Sequence, residues 1–542
     1  MRFYGKLRNQ LKRAYLWKIY KNMNIFNKIK IGQINIKYIT LAVISVIFIG
    51  LLLIFTKGDK GNPLDFQTQQ DTRIEGPFEL SNTTARYALT EAIFERGTFF
   101  LTQDEAKFSA PDVVDYNGRF ISIFTPGVSL LGLPLYFVGR IFGLPQIFTF
   151  LTIAIVAFIN IFLVAKIASK LGAGLYTAIL SGFTFVFATN ALGYTLTFTQ
   201  HQTSTMLILL AILNAFGERN WKNNVLFGMI FGAGALADIP NTILMMPIGL
   251  YILAKHVGVY EIEQKVKISL KTAGLGLVLG VAPLIILFAF YNYSTTGSFI
   301  KIAQDIGRTK FFRTTLPVQN PADSYQPDTR GNPIINIPFA TRNMLNGFYI
   351  LGISNERSWL YYSPILFVGL LGFVLIYKSN PEKRSALNVL ISVVALNFIL
   401  YSMFDDPWGG WAFGSRYLIP AAGITASGIG VVLERYKRNS PVIIIFFILL
   451  AYSITVSSLG AITTNAVAPK VEAVNLKPAI PYTYEYNINF INKNQSGNLL
   501  YNLELKNVLP LRLYWYILSG AIIGIGVLIY LLCLLEKEKN NV

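Results

Sequence analysis

The chain is poor in the residues that soluble enzymes and redox proteins rely on. It holds one cysteine, Cys533, in its last apolar run, so an intrachain disulfide and a thiolate metal cluster are both excluded. It holds two histidines, His201 and His256, which rules out a His-rich zinc site. Charged residues are only 14% of 542, and acids are scarcer than bases, 28 against 47. No internal repeat at a short period is visible, and no long alternating strands of the kind that build a barrel.

What the chain has instead is apolar length. Hydrophobic residues make up 53% and the mean hydropathy is +0.48, too apolar for a soluble chain of this size. Runs of about 20 apolar residues recur along it, which predicts membrane-spanning helices. The expected fold class is all-α, a polytopic α-helical membrane protein with about 12 spans. A net charge of +19 would suggest nucleic acid in a soluble protein, but here its distribution excludes that partner. Residues 1–37 carry about ten Lys or Arg, among them Lys6, Lys12, Arg13, Lys28 and Lys30, and no acid. Such a segment before the run at 38–56 fixes a cytoplasmic N-terminus and lies on anionic membrane lipids. The run at 38–56 reads as an uncleaved first span, because no small-residue cleavage site follows it.

Lys and Arg then orient the rest. Spans are predicted near 148–166, 174–191, 203–216, 224–237, 240–254, 272–292, 359–377, 386–403, 417–433, 441–460 and 513–535. Their cytoplasmic turns hold Lys166 and Lys170, Arg219 and Lys222, Lys255 with Lys265 and Lys267, Lys378 with Lys383 and Arg384, and Arg435 with Lys437 and Arg438. The bookkeeping closes only if 127–143, which contains Gly132, Pro134 and Arg140, is a broken helix lying at or dipping into the outer face. It also puts the loops 57–124, 293–358, 404–416 and 461–511 on one side, outside the cell, and both termini inside. Three parts follow: a basic segment 1–37, a transmembrane body 38–460 with outer loops 57–124 and 293–358, and an outer loop with a final helix at 461–542.

Within the first loop, residues 81–97 read as a short amphipathic helix. Asn82 is placed to cap it, Ala85, Leu89, Ala92 and Ile93 form an apolar stripe, Thr83, Arg86 and Thr90 share another face, and Gly97 ends it. A helix lying flat on a membrane and one packed over span ends both fit this pattern.

Four groups of residues carry a family resemblance. They are Thr83-Thr84-Ala85-Arg86-Tyr87-Ala88 with Glu95-Arg96-Gly97; Tyr116-Asn117-Gly118-Arg119-Phe120 with Thr125-Pro126-Gly127 and Leu133-Pro134; Ala235-Leu236-Ala237-Asp238-Ile239-Pro240-Asn241 with Asn292-Tyr293 and Thr296-Gly297-Ser298; and Tyr362-Ser363-Pro364 with the run Trp408 to Pro420. In order and topology, over roughly residues 40–430, they resemble the integral-membrane glycosyltransferases of the GT-C fold class, related to the protein-mannosyltransferase and lipid A aminoarabinose-transferase families. The resemblance implies a GT-C-like transferase that takes a sugar from a polyprenyl-phosphate donor on the outer face of the cell membrane and passes it to a glycan, lipid or protein acceptor. In those families an acid early in the first outer loop is the base; here Thr83 and Thr84 stand in its place.

Glycosyl transfer from a phosphate carrier needs a group to take the acceptor proton and cations to hold the departing phosphate. The outer carboxylates near span ends are Asp65, Asp71, Asp112, Asp115, Asp238, Asp405 and Asp406, then Glu79 and Glu91. Asp115 is the first choice of base, beside Tyr116 and Asn117 in the segment that returns to the membrane; a turn aspartate holding backbone amides is the other reading. Asp238 is second, at the mouth of two apolar spans, where an N-cap for the helix at Pro240 is the plainer role. Asp405 and Asp406 could hold a divalent cation, or belong to a solvated turn. Arg86, Arg119 and Arg416 are the phosphate candidates, because guanidinium forks match phosphate oxygens; each could equally be an interfacial anchor. Lys301 and Arg357 are weaker candidates of the same type. His201 could hydrogen-bond substrate or sit as a satisfied interfacial group, and Trp411 with Trp408, Tyr361 and Tyr362 could stack on a sugar or form the aromatic belt. A transporter or flippase would put charges or broken helices near the midplane and often show repeated halves; this sequence has few candidate midplane charges and no repeat. A non-catalytic relative is kept open by Thr83.

Overall fold

The computed structural model describes residues 36–58, 76–262, 265–270, 274–307 and 339–538. The basic segment 1–35, Asp65 and Asp71 lie outside the described residues. Two units are distinguished, Met1–Leu53 and Ile54–Val542. The described part of the first is one apolar helix, α1 (Ile36–Ile54), which runs to the boundary.

The second unit is built on helices. Leaving aside the four-residue helices Ala303–Ile306, Trp359–Tyr362 and Lys470–Ala473, in chain order they are α2 (Ser81–Arg96), α3 (Gln103–Ser109), α4 (Gly127–Phe142), α5 (Pro145–Leu171), α6 (Leu175–Phe187), α7 (His201–Ala215), α8 (Trp221–Ala237), α9 (Pro240–Leu244), α10 (Met246–Ala254), α11 (Leu275–Thr296), α12 (Met344–Gly352), α13 (Leu366–Ser379), α14 (Arg384–Ser402), α15 (Ile419–Tyr436), α16 (Ser440–Ile462), α17 (Glu485–Asn492) and α18 (Leu511–Glu538). Among the described residues, seven helical stretches are long and apolar enough to cross a membrane, those of α1, α5, α11, α14, α15, α16 and α18, and shorter apolar helices accompany them. The protein is an α-helical membrane protein, and each predicted span overlaps one or two helices.

Small residues set the closest packing. A Cβ on Gly280 would stand 2.1 Å from Val225 O and one on Gly228 2.3 Å from Leu277 O, so α8 and α11 meet backbone to backbone. Gly369 and Gly372 do the same for α13 against Thr425 and Gly428 of α15. In hydrocarbon, where burial of apolar surface gives little drive, such close approach is what holds helices together.

Four details differ from the sequence reading. Residues 127–142 form one continuous helix with Pro134 inside it, not a broken one. The run 240–254 divides at Met245, and 359–377 divides at Ser363-Pro364. The first outer loop carries an antiparallel sheet, β1 (Phe100–Leu101), β2 (Val113–Tyr116) and β3 (Arg119–Ser122), in the order β1-β3-β2; β4 (Val257–Ile262) and β5 (Lys265–Leu270) make a hairpin further on. Asn117 and Gly118 take φ of 53° and 76° between β2 and β3, the left-handed pair that a two-residue hairpin turn requires. Finally, of the two readings open for α2, the packed one holds: Asn82 through Thr90 and Ala92 are buried and Gly97 caps the C-terminus as expected, whereas Leu80, not Asn82, occupies the N-cap position, without a side-chain bond.

Candidate functional site

Asp238 stands at the C-terminal end of α8, in extended conformation (φ −168°, ψ 128°). Two contacts hold the backbone there. Asn241 donates to Gly234 O at 3.0 Å and to Ser204 Oγ at 2.9 Å, and Gly127 lies so close to Leu236 that a Cβ on it would be 2.4 Å from the carbonyl. The helix α9 is capped at Ile239 with no side-chain bond, so the Asp238 carboxylate is left for another task. Gln200 donates to its Oδ2 at 3.4 Å. Burial pushes this carboxyl up to about 6, against the pull of Arg86, Gln200 and Arg416.

Arg86 comes from α2 and is wholly buried. Its Nη1 donates to Asn82 O at 2.9 Å and its guanidinium lies 3.7 Å from the centre of the Phe124 ring. Ser129 of α4 and Thr90 both donate to Arg86 O, at 2.9 and 3.0 Å, and fix that turn of α2. Nε has no partner in the protein. Burial lowers this guanidinium to about 10, although Asp238 and Asp112 both favour its charge. Asp112, which accepts from Ser81 Oγ at 2.7 Å, is therefore a second carboxylate within electrostatic reach.

Arg416 enters from the turn before α15. The loop that delivers it is rich in glycines with positive φ, Gly409, Gly410 and Gly414. It is pinned by Arg357, a fully buried side chain that donates to four carbonyls: Glu356 O (2.7 Å), Val467 O (2.8 Å), Tyr482 O (3.2 Å) and Trp408 O (3.3 Å). Trp408 Nε1 adds a bond to Glu356 at 2.6 Å. Asn397 of α14 fixes the exit, donating to Tyr417 O at 3.1 Å and accepting from Ala421 N at 3.1 Å. Arg416 Nε, like that of Arg86, is buried without a partner. Its charge acts on Asp238, Arg86 and His201.

His201 opens α7 and is buried, with Nε2 unpartnered. It stands edge-on to Tyr194 at 5.2 Å and to Tyr417 at 6.2 Å; Tyr417 in turn stacks on Tyr401 at 4.4 Å and 8°. Of the residues singled out in the sequence, Arg86 of α2 and Arg416 of the turn before α15 thus act on each other, on Asp238 of the α8–α9 turn and on His201 of α7. Gln200, Tyr194, Tyr417 and Phe124 complete the setting and carried no sequence signal beyond their nearness to named motifs.

The other candidates are elsewhere. Asp115 sits in the β2–β3 hairpin, where its Oδ1 accepts from Gly118 N at 3.1 Å, the turn role; the charges acting on Asp238 are Arg86 and Arg416. Asn117 and Arg119 are exposed in that hairpin, with Arg119 4.8 Å above Phe100, and Tyr116 carries Lys301 4.9 Å over its ring. Trp411 Nε1 donates to Glu472 at 2.6 Å. Asp405 is exposed and accepts from Asn343 at 3.1 Å, while Asp406 acts on Arg416. Among the described residues, no group of three His, Cys, Asp or Glu is arranged to share a metal ion. Glu79 is a buried tether: it pairs with Lys57 at 2.6 Å and accepts from Thr464 Oγ1 (2.6 Å) and Asn465 N (2.9 Å).

No family model matches the sequence, and no curated protein matches it. Among solved structures the chain is similar to ArnT from Cupriavidus metallidurans, in the apo state (13% identity, TM-score 0.47, 92% of this chain and 76% of that one) and bound to undecaprenyl phosphate (13%, 0.46, 91% and 75%). It is also similar to the Archaeoglobus fulgidus oligosaccharyltransferase in complex with Zn and sulfate (14%, 0.45, 79% and 54%).

Proposed function

We propose that the protein is a membrane glycosyltransferase that moves a sugar from a polyprenyl-phosphate-linked donor to an acceptor hydroxyl on the extracytoplasmic face. The observation that carries this reading is a pair of guanidiniums, Arg86 and Arg416, each with a buried Nε lacking a partner and each acting on a carboxylate lifted to about 6. A buried donor without an acceptor is costly, and a phosphate oxygen is the acceptor that two guanidiniums suit best. In this role Asp238 takes over the base assignment from Asp115. The acceptor oxygen attacks the anomeric carbon and its proton passes to the Asp238 carboxylate, held by Gln200. The bond from the anomeric carbon to the phosphate oxygen breaks, and Arg86 and Arg416 retain the phosphate. His201 offers Nε2 to the same ligand. Asp406, acting on Arg416, serves as its counter-charge in preference to binding a divalent cation.

The test is an in vitro assay of purified protein with a set of polyprenyl-phosphate sugars. Asp238→Asn is expected to lower the rate ~10²–10⁴-fold, the usual contribution of a positioned base. Full rate in that variant removes Asp238 from the chemistry. If the wild type transfers nothing from any donor yet moves a lipid or solute in liposomes, the transporter reading replaces the enzyme reading. Donor binding with no turnover would point to a non-catalytic relative.

A further inference from the structure

The end of α8 opposite Asp238 carries a second cationic cluster. Seventeen residues of helix separate the two ends, ~25 Å at 1.5 Å per residue, so the cluster is remote from Asp238. Its centre is Arg219, in the turn between α7 and α8. Nη2 donates to the backbone oxygen of Asn214 and, at 3.2 Å, to Asn214 Oδ1; Nε and Nη1 are buried with no partner. Asn223 Nδ2, donating to Glu218 O at 2.8 Å, and Asn214 Nδ2, donating to Asn223 O at 3.0 Å, hold the turn closed around that side chain. Tyr251 of α10 acts on Arg219, and the Lys255 ammonium lies 4.1 Å above the same ring. Lys222 and Trp221, both exposed, flank the turn. The acid in the turn, Glu218, is exposed, and no ion pair joins Arg219, Lys222 or Lys255 to a carboxylate among the described residues.

We propose that this cluster is a binding site for the phosphate headgroup of an anionic phospholipid. A partly buried guanidinium with two unpartnered nitrogens needs an anionic acceptor, and the fork geometry fits a phosphodiester. The apolar surface beside the cluster identifies the source of that phosphate as lipid. Leu226 and Met229 on α8, Leu250 and Leu253 on α10, and Leu275 and Val278 on α11 are exposed next to the cationic end, a flank on which acyl chains can lie. Basic pockets at the cytoplasmic ends of spans take lipid headgroups by this combination of charge and apolar wall. The site is independent of the reaction assigned to Asp238.

The experiment uses the full-length protein in vesicles or nanodiscs of phosphatidylcholine containing phosphatidylglycerol, with retained lipid counted by native mass spectrometry. Wild type is expected to retain phosphatidylglycerol over phosphatidylcholine. Arg219→Gln and Lys255→Gln should each weaken that preference roughly fivefold, the effect of one cation near a lipid surface, and the pair should lose it. Lys255→Gln changes a side chain on the protein surface, so its outcome stands even if the Arg219 variant is poorly folded. Equal retention in wild type and Lys255→Gln overturns the proposal. So does displacement of phosphatidylglycerol by millimolar inorganic phosphate, which would make this a free-anion site.

Discussion

Arg416 Nε occupies the space beside Gly409: a Cβ added there would stand 2.8 Å from it. Gly409 also has φ of +75°, which a side chain disfavours. The close approach and the backbone angle act on the same loop, so Gly409→Ala should push the guanidinium out of place and cost about 1–2 kcal/mol of backbone strain. The expected result is a donor KM raised roughly tenfold with a modest loss of thermal stability. Unchanged KM would mean that Arg416 does not reach the donor.

The Asp238 carboxyl, raised to about 6 by burial, gives the reaction a pH signature. A base must be ionised, so the rate at saturating substrate should be flat above pH 7 and fall as pH drops through 6; at pH 5 about a tenth of the sites remain ionised. Asp115→Asn should leave both profile and rate unchanged, because the amide oxygen that replaces the carboxylate would still accept from Gly118 N. Loss of the acid limb in Asp115→Asn would return the base role to that residue.

These two aspartates show how far the sequence could be read. Both stand beside motifs with the same residue types, and choosing between them depends on which carboxylate the fold brings to Arg86 and Arg416. Residues 86, 238 and 416 are far apart in the chain, and only the packing of α2, α8 and α15 sets their meeting. The helices themselves were legible because apolar length is a local property, and seven of them among the described residues are long and apolar enough to cross a membrane. The hairpin at Asn117-Gly118 carried the Asn-Gly signal of a tight turn, but flanked by strands only four residues long it read as loop. Gln200 and Tyr194 had no pattern to mark them; an amide or a phenol becomes informative only when its partner is known.

Arg357 tests whether the loop is organised from behind. Its four carbonyl partners come from four segments, and it is fully buried. Arg357→Met would leave Glu356 O, Tyr482 O and Trp408 O without this donor, Val467 O still accepting from Ala412 N, at a cost of about 3–5 kcal/mol. Arg357→Lys keeps the charge but cannot reach four acceptors with one ammonium, so it should rescue poorly. Melting temperature reads the loss of stability, and donor KM measured below the melting temperature reads the displacement of Arg416. If Arg357→Lys restores both, charge alone accounts for the residue.

Glu91, on α2 one turn beyond Arg86, offers a test of the fold that is separate from the chemistry. Burial first, and Glu105 second, raise its carboxyl to about 7, and Oε2 is buried without a partner. The folded state therefore binds this proton more tightly than the unfolded chain, whose glutamates titrate near 4.5. Stability falls as pH rises from about 4.5 to 7 and stays low above that, the reverse of a salt-bridged carboxylate. Glu91→Gln supplies a neutral side chain of the same shape and should raise stability at pH 8 by about 1–2 kcal/mol, a figure reduced for the partial exposure of the group. At pH 5, where Glu91 is protonated in the fold, the gain should shrink towards zero. Thermal unfolding in detergent at the two pH values measures the difference, and a stabilisation that is the same at both would show that Glu91 is not held as the neutral acid.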